Sequence, residues 1–430
     1  MSDQFIFWDL ETTGRNDKYD QITQVGAVLT DKNFEVKDKL EIHSKLREGK
    51  WFEPGALITT GVDPINLFKN NYPNYYEASA QLYETFQQWS SPSAIFIGFN
   101  NINFDEPFLR QALYQNLMPE LYMTVTSNNT RMDVFEILRL VSVYSPEHIK
   151  FNQDDQGYPI LKLDQIFKLN NISISYEAGP HDAVFDSLVT LELNKILSIR
   201  CPQIWNAAYD FRLRETPKKF MMSNSVFTNT TFWGRRPTIK AQTLIGGIPG
   251  KNHHYLVYNL LFDPKKLQDL DDKELLKKMN DGAKRICEVF DGSKSKTLLS
   301  ESYCFKDSKF AEIGIDELRL RANFIKTNEK FCSRLIQLHL DNQKQWPEPF
   351  NIEERIFENF PSPQDKKLMI EFHTAPNTKK YEVSKQFKDE RYKELAIRII
   401  FEIAPQTLPE QERRNYELEI QERFNDDDKS

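Results

Sequence analysis

The stretch FIFWDLETTG, residues 5–14, opens with an apolar run of strand length and ends in two acids, two threonines and a glycine. Side chains of a β-strand alternate between its two faces, so Asp9 and Glu11 point the same way near the end of this predicted strand. Two carboxylates held side by side repel each other, and a divalent cation with oxygen ligands is the usual way to offset that repulsion. The stretch therefore predicts a strand whose end begins a metal site.

A second acidic segment follows another predicted strand. Residues 94–99 are continuously apolar, as in a strand that is covered on both faces. They lead through Asn100 to Asp105, which precedes a helical stretch with Pro107 in its first turn. Local sequence leaves two interpretations of Asp105 open, a cap of the following helix or a member of an acidic site.

The third segment is GPHDAVFDSLVTL, residues 179–191, whose periodic apolar residues after Gly-Pro predict a helix. Asp182 and Asp186 are four residues apart and share a face if both are helical. His181 stands at the entry to this helix. Open α/β sheets bind ligands beyond the carboxyl ends of their strands, so we expect this helix to bring an acid to the strand-end carboxylates of the first two segments.

Length and composition limit the class of protein. The 430 residues suffice for two or three domains, and 40% hydrophobic and 13% aromatic content can build their cores. The four cysteines form no C-x-x-C pair, so we expect a reducing compartment and neither a zinc site nor a disulfide framework. The sequence shows neither a membrane-spanning stretch nor a cleavable signal, which predicts a cytoplasmic protein with no membrane partner. A net charge of −7 argues against indiscriminate coating of nucleic acid but does not exclude a nucleic-acid enzyme.

Taken together, the three motifs resemble the DEDDh 3′→5′ exonuclease superfamily, and within it the chain is most similar to the bacterial exonuclease I family. The motifs are Asp9-x-Glu11, the Asn100 to Asp105 segment and His181-x4-Asp186, in the order and at the separation that the family shows. The similarity extends to further segments, namely 55–62, 130–133, 162–164 and 232–235. The resemblance implies an α/β fold in which an RNase H-like exonuclease domain with a mixed sheet comes first.

The residues of the three motifs suit metal-assisted hydrolysis. Four carboxylates without a clustered cysteine or a second histidine favour Mg²⁺ or Mn²⁺ over zinc. Two such ions about 4 Å apart can hold the attacking and leaving oxygens of a phosphoryl displacement. The resemblance implies two Mg²⁺ ions, which Mn²⁺ can replace, and these ligands: Asp9, shared by both ions, with Glu11, Asp105 and Asp186. It implies that His181 takes the proton of the attacking water, since an imidazole accepts protons near neutral pH. Asp182 is then expected to cap the helix or to orient the site.

A nuclease of this kind also needs a pocket for the terminal nucleotide and a track for the backbone. Base stacking on apolar side chains tolerates any sequence, and basic side chains neutralise phosphates. The predicted substrate contacts are Glu11, Thr13, Leu57, Ile58, Thr60, Val62, Asn101, Arg131 and Lys162. Apart from the acid, each also has an ordinary interpretation as a core or surface residue.

Beyond about residue 201 the sequence pattern changes. Short strands are predicted at 220–227, 238–244, 255–261, 285–290 and 302–305, and a helix is predicted at 318–338. The resemblance implies three domains: the exonuclease domain at 1–200, an SH3-like β-rich domain at 201–350 and a helical C-terminal domain at 351–430. The last of these completes a clamp around the nucleic-acid strand in the family.

The function that the resemblance implies is a metal-dependent 3′→5′ exonuclease that degrades single-stranded DNA processively to 5′-mononucleotides in DNA repair and recombination. It also implies a monomer, with the C-terminal tail of single-stranded DNA-binding protein as a further partner. Two alternatives remain open. One is a 3′→5′ exoribonuclease on short RNA, against which the large C-terminal half argues. The other is a non-catalytic single-strand-binding module, against which the intact set of acids and His181 argues.

Overall fold

The structure, a computed structural model, describes residues 4–61, 65, 71–344 and 347–425. The chain forms two compact units. The first comprises the residues up to Arg131, Ser173–Glu192 and the residues from Pro347 onward, and the second comprises Met132–Ile172 and Leu193–Trp346. Among the helices in the described ranges, none combines the length and the apolar character that crossing a membrane requires.

The strands of the described chain are β1 (Phe5–Thr12), β2 (Ile22–Thr30), β3 (Val36–His43), β4 (Ile95–Gly98), β5 (Thr130–Asp133), β6 (Asn152–Gln153), β7 (Pro159–Ile160), β8 (Phe227–Trp233), β9 (Arg236–Gly247), β10 (His254–Asn259), β11 (Cys287–Asp291) and β12 (Leu299–Ser300). The α-helices of the described chain are α1 (Pro54–Thr60), α2 (Tyr75–Trp89), α3 (Asp105–Gln115), α4 (Val134–Tyr144), α5 (Leu163–Leu169), α6 (Ala183–Arg200), α7 (Pro202–Phe211), α8 (Thr216–Ser223), α9 (Asp272–Met279), α10 (Ser308–Ile313), α11 (Ile315–Thr327), α12 (Glu329–Asp341), α13 (Pro363–Thr374), α14 (Asn377–Ser384), α15 (Glu390–Ile403) and α16 (Glu410–Asn425).

A five-stranded sheet in the order β3-β2-β1-β4-β5 begins the fold. Its central strand β1 is antiparallel to β2 and parallel to β4, which confirms the predicted mixed sheet. Helix α2 packs its apolar stripe on this sheet, with Leu82 and Phe86 in one core with Ile6 and Trp8 of β1. The stripe recurs at helical spacing because an α-helix has a period of 3.6 residues.

The C-terminal helices α13 to α16 belong to the same unit as this sheet. Phe372, Leu395 and Ile399 share a core with Tyr76 of α2 and Tyr114 of α3. The helical C-terminal region was predicted, and the structure confirms it. The division into domains at 1–200, 201–350 and 351–430 follows the order of the chain and stays a prediction.

A buried ion pair reinforces that packing. Arg47 donates from Nε to Oε2 of Glu402 on α15 at 2.7 Å, and from Nη2 to Oδ1 of Asn116 at 2.7 Å. The other carboxylate oxygen of Glu402 accepts the backbone N–H of Tyr75 at 2.7 Å, at the start of α2. Both charged side chains are more than nine-tenths buried, so losing either one would leave the other charged and unpaired.

The second unit is built on an antiparallel sheet in the order β11-β10-β9-β8-β12. The β-rich character predicted for this region is therefore confirmed, whereas its SH3-like topology stays a prediction. The strand predicted at 220–227 is wrong for residues 220–223, which end helix α8, and only Phe227 lies in a strand, as the first residue of β8. Pro217 favours the start of α8 because the first turn of a helix does not need its missing N–H. Residues 302–305 lie in a 3₁₀ helix, and 318–338 divide into α11 and α12, where Asn328 caps the second helix.

Candidate metal centre and active site

Strand β1 carries the first two carboxylates. Asp9 lies opposite Gly26 of β2, and Glu11 lies opposite Gln24. Both acids are half-buried, while their neighbours Trp8, Leu10 and Thr12 are buried on the other face. The alternation predicted from the sequence is therefore present, and it points both carboxylates to one side of the sheet.

Asp105 joins them from the segment that follows the neighbouring strand β4. It is the first residue of α3, shortly after β4, and its Oδ1 accepts the backbone N–H of Leu10 at 3.0 Å. Leu10 stands between Asp9 and Glu11 in β1, so this hydrogen bond fixes the third carboxyl group beside the first two. The cap position of α3 is Phe104, and no side chain caps it, so the interpretation of Asp105 as a helix cap is wrong.

Helix α6 brings the last acid and the histidine. The backbone N–H of His181 donates to Oδ2 of Asp186 at 3.3 Å, which folds the entry loop back onto the first turn. His181 has a φ of +70°, a left-handed conformation that is uncommon for a residue with a side chain and is concentrated at functional sites. Ligand atoms of Glu11, His181 and Asp186 all lie within 4.8 Å of one another. The exposed imidazole therefore stands next to two of the predicted ligands.

Asp182 has the capping role that was predicted for it. Its Oδ1 accepts the N–H groups of Val184 at 3.1 Å and of Phe185 at 3.0 Å. These are two of the N–H groups that a helix start leaves without partners in the helix. Capping therefore does not require Asp186, which turns toward the other acids.

A close approach between α6 and β2 makes this arrangement possible. A Cβ placed on Gly26 would lie 2.0 Å from the backbone carbon of Ala183 and 2.1 Å from the nitrogen of Val184. The hydroxyl of Ser187 donates to the carbonyl of Gly26 at 2.9 Å. Because Gly26 stands opposite Asp9, β2 has no side chain at the point where α6 must come close to the first carboxylate.

The crowding of carboxylates changes their proton affinity. Burial, followed by the charges of Asp105, Asp186 and Glu11, raises the pKa of Asp9 well above its usual range. Burial, followed by the charges of Asp186 and Asp105, raises the pKa of Glu11 to about 9. Acids that hold protons this tightly are typical of sites where a cation takes the place of the protons.

Comparison with known proteins assigns the chain to a family. One family model, described as Exonuclease, matches residues 6–193, and a second, described as the Exonuclease I C-terminal domain, matches residues 350–430. Together they account for more than half of the chain. The chain belongs to the exonuclease I family.

Relatives and solved structures agree with this assignment. Exodeoxyribonuclease I of Haemophilus influenzae is 23% identical over 414 residues, which is 91% of this chain and 84% of the relative. Exodeoxyribonuclease I of Buchnera aphidicola from Schizaphis graminum is 29% identical over 209 residues, so the match spans 48% of this chain and only 42% of the relative's length. Escherichia coli exonuclease I, in complex with a dA16 oligonucleotide, superposes with a TM-score of 0.83 at 20% identity, over 98% of this chain and 91% of that one. This likeness confirms the RNase H-like exonuclease fold.

Several side chains that the exonuclease I resemblance suggested as substrate contacts are engaged within the protein. The Thr13 hydroxyl donates to Asp20 at 2.9 Å and accepts from the N–H of Gln21 at 3.0 Å. Arg131 forms a buried ion pair with Glu106 at the start of α3. These contacts hold the loop after β1 in place and join β5 to the start of α3. A direct role in substrate binding stays a prediction for both residues.

The buried amide of Asn101 has a different environment. No hydrogen-bond partner for it lies among the described residues. It packs where β4 ends, and a Cβ on Gly98 would stand 2.5 Å from the Cβ of Asn101. The side chain is fully enclosed, so contact with a substrate requires the loop to open, and this role too stays a prediction.

The remaining predicted contacts are exposed or half-buried wherever the structure describes them. Helix α1 buries none of its residues, and Ile58 at its surface is 84% exposed, with Leu57 half-buried beside it. The hydroxyl of Thr60 donates to Ala56 within the same helix at 3.0 Å. Val62 lies outside the described residues. In the second unit, Lys162 is exposed and lines a cleft with two arginines and two phenylalanines: Arg139, Arg235, Phe135 and Phe232.

Proposed function

We propose that this chain is a metal-dependent 3′→5′ exonuclease that degrades single-stranded DNA to 5′-mononucleotides. The observation that carries the proposal is the meeting of four carboxylates and one histidine, which come from β1, from the first turns of α3 and α6 and from the loop before α6. Stability of the fold does not explain why these side chains lie together, since the four carboxylates repel one another. Phosphodiester hydrolysis with divalent cations explains all five.

The residues present fit hard divalent cations. Burial, and after it the charges of the neighbouring carboxylates, raises the pKa values of Asp9 and Glu11, and a cation bound there would favour their charged forms. We assign Asp9, Glu11, Asp105 and Asp186 as ligands of Mg²⁺, with two ions held and with Mn²⁺ able to replace them. When bound, the ions supply charge stabilisation for the phosphate and for the leaving oxygen. The protein's own part is to hold the oxygens rigid, and the bond from Leu10 to Asp105 does this.

His181 is assigned the general base. Its side chain is exposed while its backbone N–H is held by Asp186, so the imidazole is anchored at the site and still open to solvent water. Neutral imidazole would take the proton of the attacking water as the bond to phosphorus forms. His181→Ala is expected to lose on the order of a hundredfold in single-turnover rate, the usual contribution of a positioned base, and to keep its metal affinity. A variant that loses metal affinity instead would make His181 a ligand.

Single-stranded DNA is favoured over RNA by the relatives, which are named exodeoxyribonucleases, and by the extent of the chain beyond the catalytic core. The exposed Ile58 suits stacking against a terminal base. In the second unit, the cleft at Lys162 combines cationic and aromatic side chains, the composition of a single-strand track. Next to it Trp233 is 88% exposed.

The finer features of the proposal follow from the family resemblance. They are processive digestion, a monomeric state, a cytoplasmic location, a role in DNA repair and recombination, and binding of the C-terminal tail of single-stranded DNA-binding protein. The C-terminal helices make the first of these testable. A variant that stalls on long strands yet cleaves short oligonucleotides normally would tie processivity to a surface outside the metal centre.

End-labelled substrates test the proposal as a whole. Single-stranded DNA, duplex DNA and RNA of one sequence are digested with Mg²⁺ and with EDTA, using Asp186→Asn as the matched inactive control. We expect mononucleotides from single-stranded DNA alone, and only with Mg²⁺. Equal digestion of RNA would favour the exoribonuclease alternative. Strand binding without any digestion would favour the non-catalytic binding module.

A further inference from the structure

Gln24 is a buried amide on β2 that lies directly opposite Glu11. Partners in an antiparallel pair project to the same face, so its side chain shares the face of the carboxylates. Its Nε2 donates to Oδ2 of Asp182 at 2.8 Å, and its Oε1 accepts the backbone N–H of Ala183 at 3.2 Å. Nε2 also lies 3.3 Å from Oε1 of Glu41 on β3. The amide thus connects the strand facing Glu11 to the start of α6.

These bonds complete the hydrogen bonding of the helix start. The first N–H, that of Ala183, goes to Gln24, and the next two go to the side chain of Asp182. The fourth, that of Asp186, donates to the carbonyl of Asp182 at 2.9 Å. An ordinary N-cap would satisfy such groups from the helix's own flank. Here one partner comes from the sheet, which makes the position of the helix start depend on β2.

We propose that Gln24 is the positioning residue that sets Asp186 and His181 against Glu11. This inference rests on the proposed function, in which those three groups act together. Gln24 touches neither the reacting atoms nor the assigned base. It acts through Asp182, whose neighbour in the chain is His181, and through the first turn that carries Asp186.

The chemistry of the carboxamide explains why this position requires glutamine. One end must donate to a carboxylate and the other must accept from a backbone N–H, and an amide offers both at the required spacing. Leucine of similar size offers neither. Glutamate would place a carboxylate against that of Asp182, and like charges at hydrogen-bond distance repel.

The first test compares Gln24→Leu with Gln111→Leu in the full chain. Gln111 donates from Nε2 to the carbonyl of Glu353 at 2.7 Å, so its variant loses a buried amide bond away from the metal centre. We expect Gln24→Leu to weaken Mn²⁺ binding, measured by calorimetry on chelator-stripped protein, by about 10–100-fold. Its kcat on single-stranded DNA should fall while KM stays close to that of the wild type. Gln111→Leu should keep both the metal affinity and kcat.

A reciprocal exchange provides the second test. Gln24→Glu should be impaired by repulsion from Asp182. Asp182→Asn should be impaired because its side chain then has a single oxygen, for which Nε2 of Gln24 and the N–H groups of the helix start compete. The double variant restores a donor facing an acceptor, since the carboxamide introduced by Asp182→Asn can donate to the new carboxylate while its oxygen still caps the helix. Glu41 is exposed and can turn to solvent. We expect the double variant to regain about tenfold or more of the metal affinity that the single variants lose. Such non-additive effects of two substitutions are typical of residues in direct contact.

Several outcomes would overturn the inference. One is wild-type metal affinity and kcat in Gln24→Leu, and another is a double variant no better than the worse single variant. If Gln24→Leu fails to fold by circular dichroism, the exchange alone decides. A wild-type chain that binds Mn²⁺ but digests no DNA would refute the proposed function, and the metal titrations would still decide the role of Gln24.

Discussion

Stripping the protein of divalent metal and returning the metal at different pH values should reveal a strong coupling between metal and protons. Without metal, the pKa of Glu11 is raised from 4.5 to about 9 by burial and by the nearby charges of Asp186 and Asp105. A group with that pKa is roughly 90% protonated at pH 8 and nearly fully protonated at pH 7. Metal binding must displace that proton. The pKa of Asp9 is raised as well, so we expect one to two protons to be released per binding event.

The size of the effect on affinity follows from the number of protons. Each proton released makes the apparent association constant rise about tenfold per pH unit, so between pH 6 and 8 we expect roughly a hundredfold gain or more. Calorimetry with Mn²⁺ and Mg²⁺ in buffers of different ionisation enthalpy measures the released protons directly. Glu11→Gln is the matched control, and it should release about one proton fewer. Affinity that is independent of pH, with no proton release, would refute the arrangement of crowded carboxylates.

The same shifts determine how stability changes with pH. Because the folded pKa of Glu11 lies above its unfolded value, its contribution to stability is full below about 4.5 and is lost as the pH rises toward about 9. The melting temperature of metal-free protein should therefore fall from pH 5 to pH 9. Saturating Mg²⁺ should suppress this fall, since bound cations stabilise the charged carboxylates.

Three substitutions test other parts of the account. Asp186→Ala should abolish cleavage and keep single-strand binding in a gel-shift assay; cleavage within about tenfold of wild type would contradict its role as a ligand. Gly26→Val should leave the sheet folded but displace the start of α6, and metal titration should show weakened binding; unchanged affinity would show that the close approach is not needed. Arg47→Ala should lower the free energy of unfolding by about 3–5 kcal/mol, because it leaves the buried Glu402 unpaired. Arg413→Ala on the exposed face of α16 is the control and should lower it little. Equal losses for the two variants in denaturant titration would refute the buried pair.

The sequence predicted the acids of the site because their signals are local. The strand holding Asp9 and Glu11 has period 2, so their common face follows from the chain alone. Asp105 and Asp186 were assigned from the motifs of the resembling family, and the structure places Asp105 against Leu10 of β1 and Asp186 beside Glu11. Each of these positions depends on a few consecutive residues.

The supporting residues could not be predicted in the same way. Gln24 and Gly26 matter because of which residues they face across β1 and β2, and that register depends on pairing between distant segments. Nothing local distinguishes Gln24 from a solvent-facing polar residue of a strand. The roles of Thr13 and Arg131 were likewise hidden, because their partners Asp20 and Glu106 were indistinguishable from surface acids in the sequence.

Two substrates of one sequence decide whether these carboxylates and His181 hydrolyse single-stranded DNA from its 3′ end. One is a linear 5′-labelled strand, and the other is the same strand closed into a circle. With Mg²⁺ we expect the linear strand to shorten stepwise from its 3′ end into mononucleotides and the circle to stay intact. Cleavage of the circle, or loss of the 5′ label before any shortening, would contradict the account.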